Sequence, residues 1–277
     1  MQMTAKPDSD RFQSGADKYA AYLETPEGRL RCGLAFANLQ DFLVLPQSRR
    51  SLRGLDLGCG TGATAVRLAR LGIHMTLLDS SSVMLDIAKR AAREAGVDGK
   101  TAVNHGDAAQ VANLFPAGSF DVVLCHNILE YVDDPNSVLS AAAKVLQSDS
   151  GILSILVRNW AGEVFKAGVK TGDLESAERM LTTMWGHESL FGGRVRLFTL
   201  DSLQVMTKGA SLAVAAEGGV RVISDYLPPQ ISRREEYERI FELERKLGSR
   251  PEFAAVARYI QVIARHSCAS SSKETGP

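Results

Sequence analysis

The segment LDLGCGTG at 55–62 constrains this chain more than any other. It sets Asp56, Gly58, Gly60 and Gly62 at alternate positions between an apolar run and a helical pattern. Glycine lets a backbone turn sharply and approach a ligand to contact distance. The run from Leu52 to Leu57 reads as a strand. TGATAVRLARLG reads as the following helix, with Thr61 as its N-cap and Leu68, Ala69 and Leu71 on its apolar face. Such a turn offers free N–H groups at the positive end of a helix dipole, which suits a small, polar, partly anionic ligand.

The rest of the chain repeats this strand–helix rhythm. MTLLD (75–79), TAVNHGD (101–107), FDVVLCH (120–126) and GILSILV (151–157) read as strands. SVMLDIAKRAAREAG and NSVLSAAAKVL (136–146) read as the helices between them. Short apolar strands alternating with helices imply an α/β fold with a doubly wound, mostly parallel sheet covered on both faces. Before the first strand, residues 14–45 read as one or two helices broken at TPEG (25–28). After Asn159 the rhythm fails, and a glycine-rich stretch with one helix, DLESAERMLTTMW, reads as an insertion or lid. A helix at 198–210 capped by Thr199 or Asp201, a strand or strand pair at 211–227, an amphipathic helix at 234–248 and a strand at 257–265 complete the pattern.

Composition excludes several classes. Thirty-two basic residues balance 32 acidic ones, so the chain lacks the overall charge of a nucleic-acid coat. The four cysteines (Cys32, Cys59, Cys125 and Cys268) form no C-x-x-C pair and read as reduced thiols of a cytoplasmic protein. The five histidines are scattered, and no metal site is expected. No apolar run reaches the roughly 18 residues that span a bilayer.

Two ligands compete for the glycine turn. GCGTGA at 58–63 fits the dinucleotide fingerprint, which would make the chain a nicotinamide oxidoreductase. Three features favour another nucleoside. Asp56 would repel a pyrophosphate but suits a ligand carrying an ammonium group. The fourth strand, FDVVLCHNILEYVDDP, ends in polar residues and then a helix, whereas Asp79, ending the second strand where a carboxylate can accept from both ribose hydroxyls, suits either ligand. Asp107, ending the third strand, is placed to accept from an adenine amino group while Ala108 offers its N–H to a ring nitrogen.

These motifs, in this order, resemble the class I S-adenosylmethionine-dependent methyltransferases over at least residues 52–157. The resemblance implies a Rossmann-like seven-stranded sheet and S-adenosyl-L-methionine as cofactor, released as S-adenosyl-L-homocysteine. It places Gly58, Cys59 and Gly60 along the methionine moiety, Asp79 at the ribose, and Asp107 with Ala108 at the adenine, with Ser80 also among the cofactor-binding residues. Met84 then packs on the adenine face or in the core. His126 stands at the tip of the fourth strand, against the cofactor or the acceptor.

A narrower resemblance covers almost the whole chain. FQSGADKYAAYLETPEGRLR, GVRVISDYL, YERIFELE and ARYIQVIAR are similar to bacterial transfer-RNA methyltransferases that esterify the carboxylate of carboxymethoxyuridine at the wobble position. By that similarity Arg31 contacts the cofactor carboxylate, while Arg221 and Tyr226 face the acceptor or brace the sheet edge. Two features depart from it. The lysine run these enzymes often carry after the fifth strand is replaced by RMLTTMWGHESLFGGRVR, and the glycine turn is the commoner LGCGTG. A small-molecule acceptor therefore stays open beside tRNA, as does a cofactor-binding partner subunit without activity.

The division expected is a disordered tail (1–13), an N-terminal helical cap (14–48), the cofactor-binding core (49–159), a lid (160–197), the C-terminal part of the same sheet with acceptor-side elements (198–266), and a second disordered tail (267–277). A carboxylate acceptor needs only orientation, by Arg158, Arg221 and Tyr226. A hydroxyl acceptor needs a base, and His126 is the best-tuned side chain near the site. An amine acceptor must bind neutral, with help from Glu130 or Asp225. Tyr19, Tyr22 and Tyr131 suggest an aromatic wall. Trp160 and Trp185, in the lid, suggest water exclusion.

Overall fold

The computed structural model describes residues 8–44 and 51–267. Its elements are α1 (Asp8–Leu23), α2 (Pro26–Gln40), β1 (Arg53–Leu57), α3 (Ala63–Arg70), β2 (His74–Asp79), α4 (Ser82–Glu94), β3 (Thr101–His105), α5 (Val111–Leu114), β4 (Val122–His126), α6 (Pro135–Val145) and β5 (Ile152–Arg158). There follow α7 (Trp160–Phe165), α8 (Leu174–Met180), β6 (Trp185–His187), β7 (Arg194–Arg196), α9 (Leu200–Gly209), β8 (Leu212–Val220), α10 (Tyr237–Gly248), α11 (Pro251–Ala254) and β9 (Tyr259–His266).

Seven strands make one sheet in the order β3-β2-β1-β4-β5-β9-β8. β1 to β5 pair in parallel, and β9 runs antiparallel to both β5 and β8. The order reverses between β1 and β4, so their outgoing connections part and leave a crevice at the carboxyl ends of the central strands. Alternate residues of each strand feed opposite faces. Leu55, Leu57, Val123 and Ile155 join Val138, Leu139 and Ala142 of α6 on one side. Leu77, Leu124 and Ile152 join Leu68 of α3 and Leu85 and Ala88 of α4 on the other. Leu30 and Leu34 of α2 pack with Ile240 of α10, Val220 and Tyr259, which fixes the N-terminal helices beside the crevice.

Local chemistry explains the helix starts. Thr25 accepts the Gly28 N–H and Pro26 occupies the first turn of α2, which is the break seen at TPEG. Ser81 caps α4, Asp134 caps α6, and Thr199 with Ser202 forms a capping box on α9.

The structure corrects four expectations. α1 begins at Asp8, inside the segment read as tail. Gly62, not Thr61, is the N-cap of α3; it sits at φ 74° with no side-chain cap. The lid holds two helices and the β6–β7 hairpin, whose three-residue strands are too short to show a period. The segment at 211–227 gives a single strand that stops at Val220, because Arg221 turns left-handed at φ 64°. The remainder of the first tail (1–7), the boundary at 48/49 and residues 268–277 with Cys268 lie outside the described residues. Among the described residues no helix is long and apolar enough to cross a membrane, and no His/Cys/Asp/Glu group is arranged to hold a metal.

Candidate functional site

The turn after β1 takes its shape from three left-handed residues, Gly58, Gly60 and Gly62, at φ 62°, 54° and 74°. A Cβ on Gly58 would lie 2.5 Å from Ile128 Cδ1, and one on Gly62 3.0 Å from Leu77 Cδ2. Asp79, where β2 ends, holds the turn from the side. Its Oδ2 accepts the Gly60 N–H at 2.8 Å and its Oδ1 accepts the Ser81 N–H at 2.8 Å. Burial pushes the Asp79 carboxyl above its usual range, opposed by those two amides. Each oxygen keeps a lone pair for a further donor.

Above this turn lies a cavity of about 470 Å³. Gly58 and Gly60 form its floor; Asp79, Ser80, Met84, Asp107 and Ala108 line the β2–β3 side, and His126, Asn127 and Arg158 the β4–β5 side. Met84 is both wall and core, being only 2% exposed. Asp107 orders its own loop, accepting the Ala109 N–H at 2.9 Å.

A smaller cavity of about 40 Å³ opens behind Gly58, bordered by Asp56, Cys59, Thr61 and Arg31. Asp56 and Cys59 therefore face this recess and not the main chamber. Burial, reinforced by Asp79, pushes Asp56 up to about 8. Arg31 lines both cavities. Its Nη2 donates to the Tyr19 hydroxyl at 2.7 Å, and its guanidinium lies 5.1 Å from the Tyr22 ring and 5.8 Å from that of Tyr259. Among the described residues no carboxylate pairs with it. A buried guanidinium answered only by phenols leaves an unmet demand for an anion.

Arg158 is held differently. Its Nη1 meets Glu163 at 3.1 Å and its Nη2 meets Glu188 at 3.2 Å. Glu188 also accepts the Leu190 N–H at 2.9 Å and the Phe191 N–H at 2.6 Å, which carries the hairpin loop over the cavity. Phe191 becomes its roof, with its ring 5.0 Å from Phe12 and 5.4 Å from Tyr19. Gly15 makes room, since a Cβ there would lie 2.5 Å from Phe191 Cδ1. Tyr131 completes the aromatic group, 5.2 Å from Phe12.

His126 lines the cavity, but burial and the nearby Arg31 charge drive it down to about 3. It is neutral and a poor proton acceptor at neutral pH, which corrects its reading as the well-tuned base. Arg221 and Tyr226 are not in the cavity wall. β8 is the far edge strand, and Arg221 is spent on the Tyr22 hydroxyl at 2.9 Å and on Asp225. Tyr226 packs edge-on against Phe165. Tyr22 stands behind Tyr19 and is not part of the wall. Neither lid tryptophan reaches the cavity. Trp160 pins the end of α8 through bonds to the Met180 and Thr183 carbonyls, and Trp185 sits outside, beneath Arg194 and Arg196. Glu188, Phe191 and Phe12 do that enclosing work instead. Phe12 opens a segment that carries the narrower resemblance but falls in the stretch read as tail, and the other two lie in an aperiodic loop, so no periodicity marks any of them as site residues.

Comparison with known proteins agrees with this architecture. A family model described as a methyltransferase domain matches residues 55–154. The chain is 30% identical to the tRNA 5-carboxymethoxyuridine methyltransferase of Escherichia coli K12, over 92% of its own length and 95% of the relative's. Among solved structures it is similar to the CcbJ methyltransferase from Streptomyces caelestis, with a TM-score of 0.63, 18% identity, and coverage of 95% and 100% of the two chains. It is also similar to the geranyl diphosphate C-methyltransferase of Streptomyces coelicolor, solved with S-adenosyl-L-homocysteine, at TM-score 0.56 and 17% identity over 91% and 84%.

Proposed function

The chain belongs to the S-adenosylmethionine-dependent methyltransferases, in the family of the Escherichia coli tRNA 5-carboxymethoxyuridine methyltransferase, and from that premise we propose that it esterifies a carboxylate on a modified uridine of tRNA. The bound cofactor supplies a methyl group on a sulfonium, which the acceptor oxygen takes while sulfur keeps the bonding pair. Everything else is positioning, with the reacting atoms held about 3–3.5 Å apart.

In this reading the backbone of Gly58, Cys59 and Gly60 cradles the methionine moiety. Arg31 meets its carboxylate, and Asp56 faces its ammonium from the smaller cavity. Asp79 takes the ribose hydroxyls on its remaining lone pairs, with Ser80 beside it. Asp107 and the Ala108 N–H read the adenine edge over Met84. Phe12, Tyr19, Tyr131 and Phe191 flank a flat ring on the acceptor side.

The observation that carries the choice of acceptor is the similarity to the tRNA 5-carboxymethoxyuridine methyltransferase over 92% of the chain. His126, made a weaker base by burial and the Arg31 charge, is in keeping with an acceptor that needs no deprotonation. The surroundings suit an anion: Arg31 and Arg158 line the cavity, and among the described residues no carboxylate pairs with Arg31. Arg221 and Tyr226 contribute from behind the wall, without touching the acceptor. The test is transfer of labelled methyl to tRNA carrying carboxymethoxyuridine. The product is a methyl ester, so mild alkali releases the label. An alkali-stable label would reject esterification. The hairpin's lack of lysine and the roofed cavity favour a free carboxylic acid as second acceptor, tested in the same assay.

A further inference from the structure

A buried hydrogen-bond chain leads from the cavity into the sheet. His126 Nε2 lies 2.8 Å from Ser154 Oγ on the neighbouring strand β5. Gln261, from β9, sends its side-chain amide to the same oxygen at 3.1 Å and to the Ala35 carbonyl at 2.9 Å. Its Oε1 accepts from Asn38 Nδ2 at 3.0 Å. Ser154 is fully buried and Gln261 2% exposed.

The donors and acceptors allow one consistent assignment. The Ala35 carbonyl can only accept, so it fixes which end of the Gln261 amide is nitrogen. Both Gln261 N–H groups are then used, one on Ala35 and one on Ser154 Oγ. The Ser154 hydroxyl hydrogen needs an acceptor, and the atom within reach is His126 Nε2. A neutral imidazole that accepts at Nε2 carries its hydrogen on Nδ1.

We propose that Gln261, acting through Ser154, is a positioning residue that locks His126 as the Nδ1–H tautomer, so that His126 presents an N–H donor to an anionic oxygen in the cavity. This rests on the carboxylate-acceptor reading for its purpose but not for its geometry. A donor at this position favours an acceptor oxygen that arrives without a hydrogen. It disfavours a hydroxyl, whose own hydrogen would meet Nδ1–H instead of a lone pair. The same chain gives a role to two buried polar residues in an otherwise apolar layer.

Imidazole nitrogen-15 shifts of the whole protein at neutral pH test the lock directly. The expected spectrum shows His126 protonated at Nδ1. Protonation at Nε2, or a mixture, overturns the inference whatever the enzyme methylates. Gln261→Glu replaces the amide donor by an acceptor. The Ser154 hydroxyl then turns toward the new carboxylate, and the His126 hydrogen moves to Nε2. With the carboxylate acceptor, this variant should lose at least tenfold in kcat/KM while cofactor Kd stays within twofold. Should the buried carboxylate prevent folding, Ser154→Ala tests the same link by removing the donor to Nε2. It should yield mixed tautomers and a loss in kcat/KM, and an unchanged tautomer in it refutes the relay. If the wild-type spectrum shows Nδ1–H but the product is an alkali-stable ether, the tautomer stands and the carboxylate reading falls.

Discussion

Asp79 grips Gly60. The carboxylate at the end of β2 accepts the amide of the second glycine of the turn at 2.8 Å, so one side chain shapes the cradle and also faces its contents. Asp79→Ala should therefore do double damage. Two backbone N–H groups lose a charged acceptor, a cost on the order of 2 kcal/mol. Cofactor affinity should fall at least tenfold by calorimetry, and Asp79→Asn should retain part of it. Unchanged affinity would remove Asp79 from the proposed ribose site.

Gly58 is held at φ 62° beneath Ile128. An alanine there pays about 1–2 kcal/mol for the left-handed backbone before any contact is counted. Gly58→Ala should lower the urea midpoint and abolish measurable cofactor binding. Wild-type behaviour on both counts would show that the turn is not constrained as described.

Phe191 roofs the cavity from the hairpin, whereas the residues proposed to hold the cofactor come from the strand ends, α2 and α4. Phe191→Ala removes aromatic contacts worth about 0.5–1.5 kcal/mol each. The acceptor KM should rise about tenfold, with cofactor Kd within twofold. Equal losses in both would mean that the roof serves the whole cavity and not the acceptor side.

Two groups, the buried Asp56 and the half-buried His126, pull the pH dependence of stability in opposite directions. Asp56 titrates at about 8 in the fold against 3.8 normally, so between those values the native state holds more protons than the unfolded chain and stability falls as pH rises. His126 titrates at about 3 against 6.5 normally, so it contributes stability above 6.5 that is lost on acidification toward 3. Asp56→Asn should flatten the decline from pH 5 to 8, and His126→Asn the acid limb, in thermal unfolding followed across pH. Profiles that coincide with wild type would contradict both assignments.

Much of this was legible in the sequence because the signals are local. The glycine turn, the acid that ends β2 and the polar tip of β4 sit where a strand stops, and strand endings can be read from apolar periodicity. The acceptor side was not legible for the same reason. Phe12, Phe191 and Glu188 meet through packing between α1 and a hairpin about 180 residues later, and three-residue strands carry no period. Arg221 and Tyr226 looked like site residues by motif, but Arg221 is held behind the wall on the Tyr22 hydroxyl and Tyr226 packs against Phe165. His126 looked like a base by position. Only its burial beside Arg31 reveals that it is too weakly basic.

The most direct test is the pH–rate profile of methyl transfer to tRNA bearing carboxymethoxyuridine, at saturating cofactor, from pH 5.5 to 7.5. An acceptor that binds already ionised, beside a histidine that does not titrate in this range, predicts a flat profile that His126→Asn lowers without tilting. A rate that climbs with an inflection near 6 to 7, abolished in His126→Asn, would contradict the account by making His126 a general base.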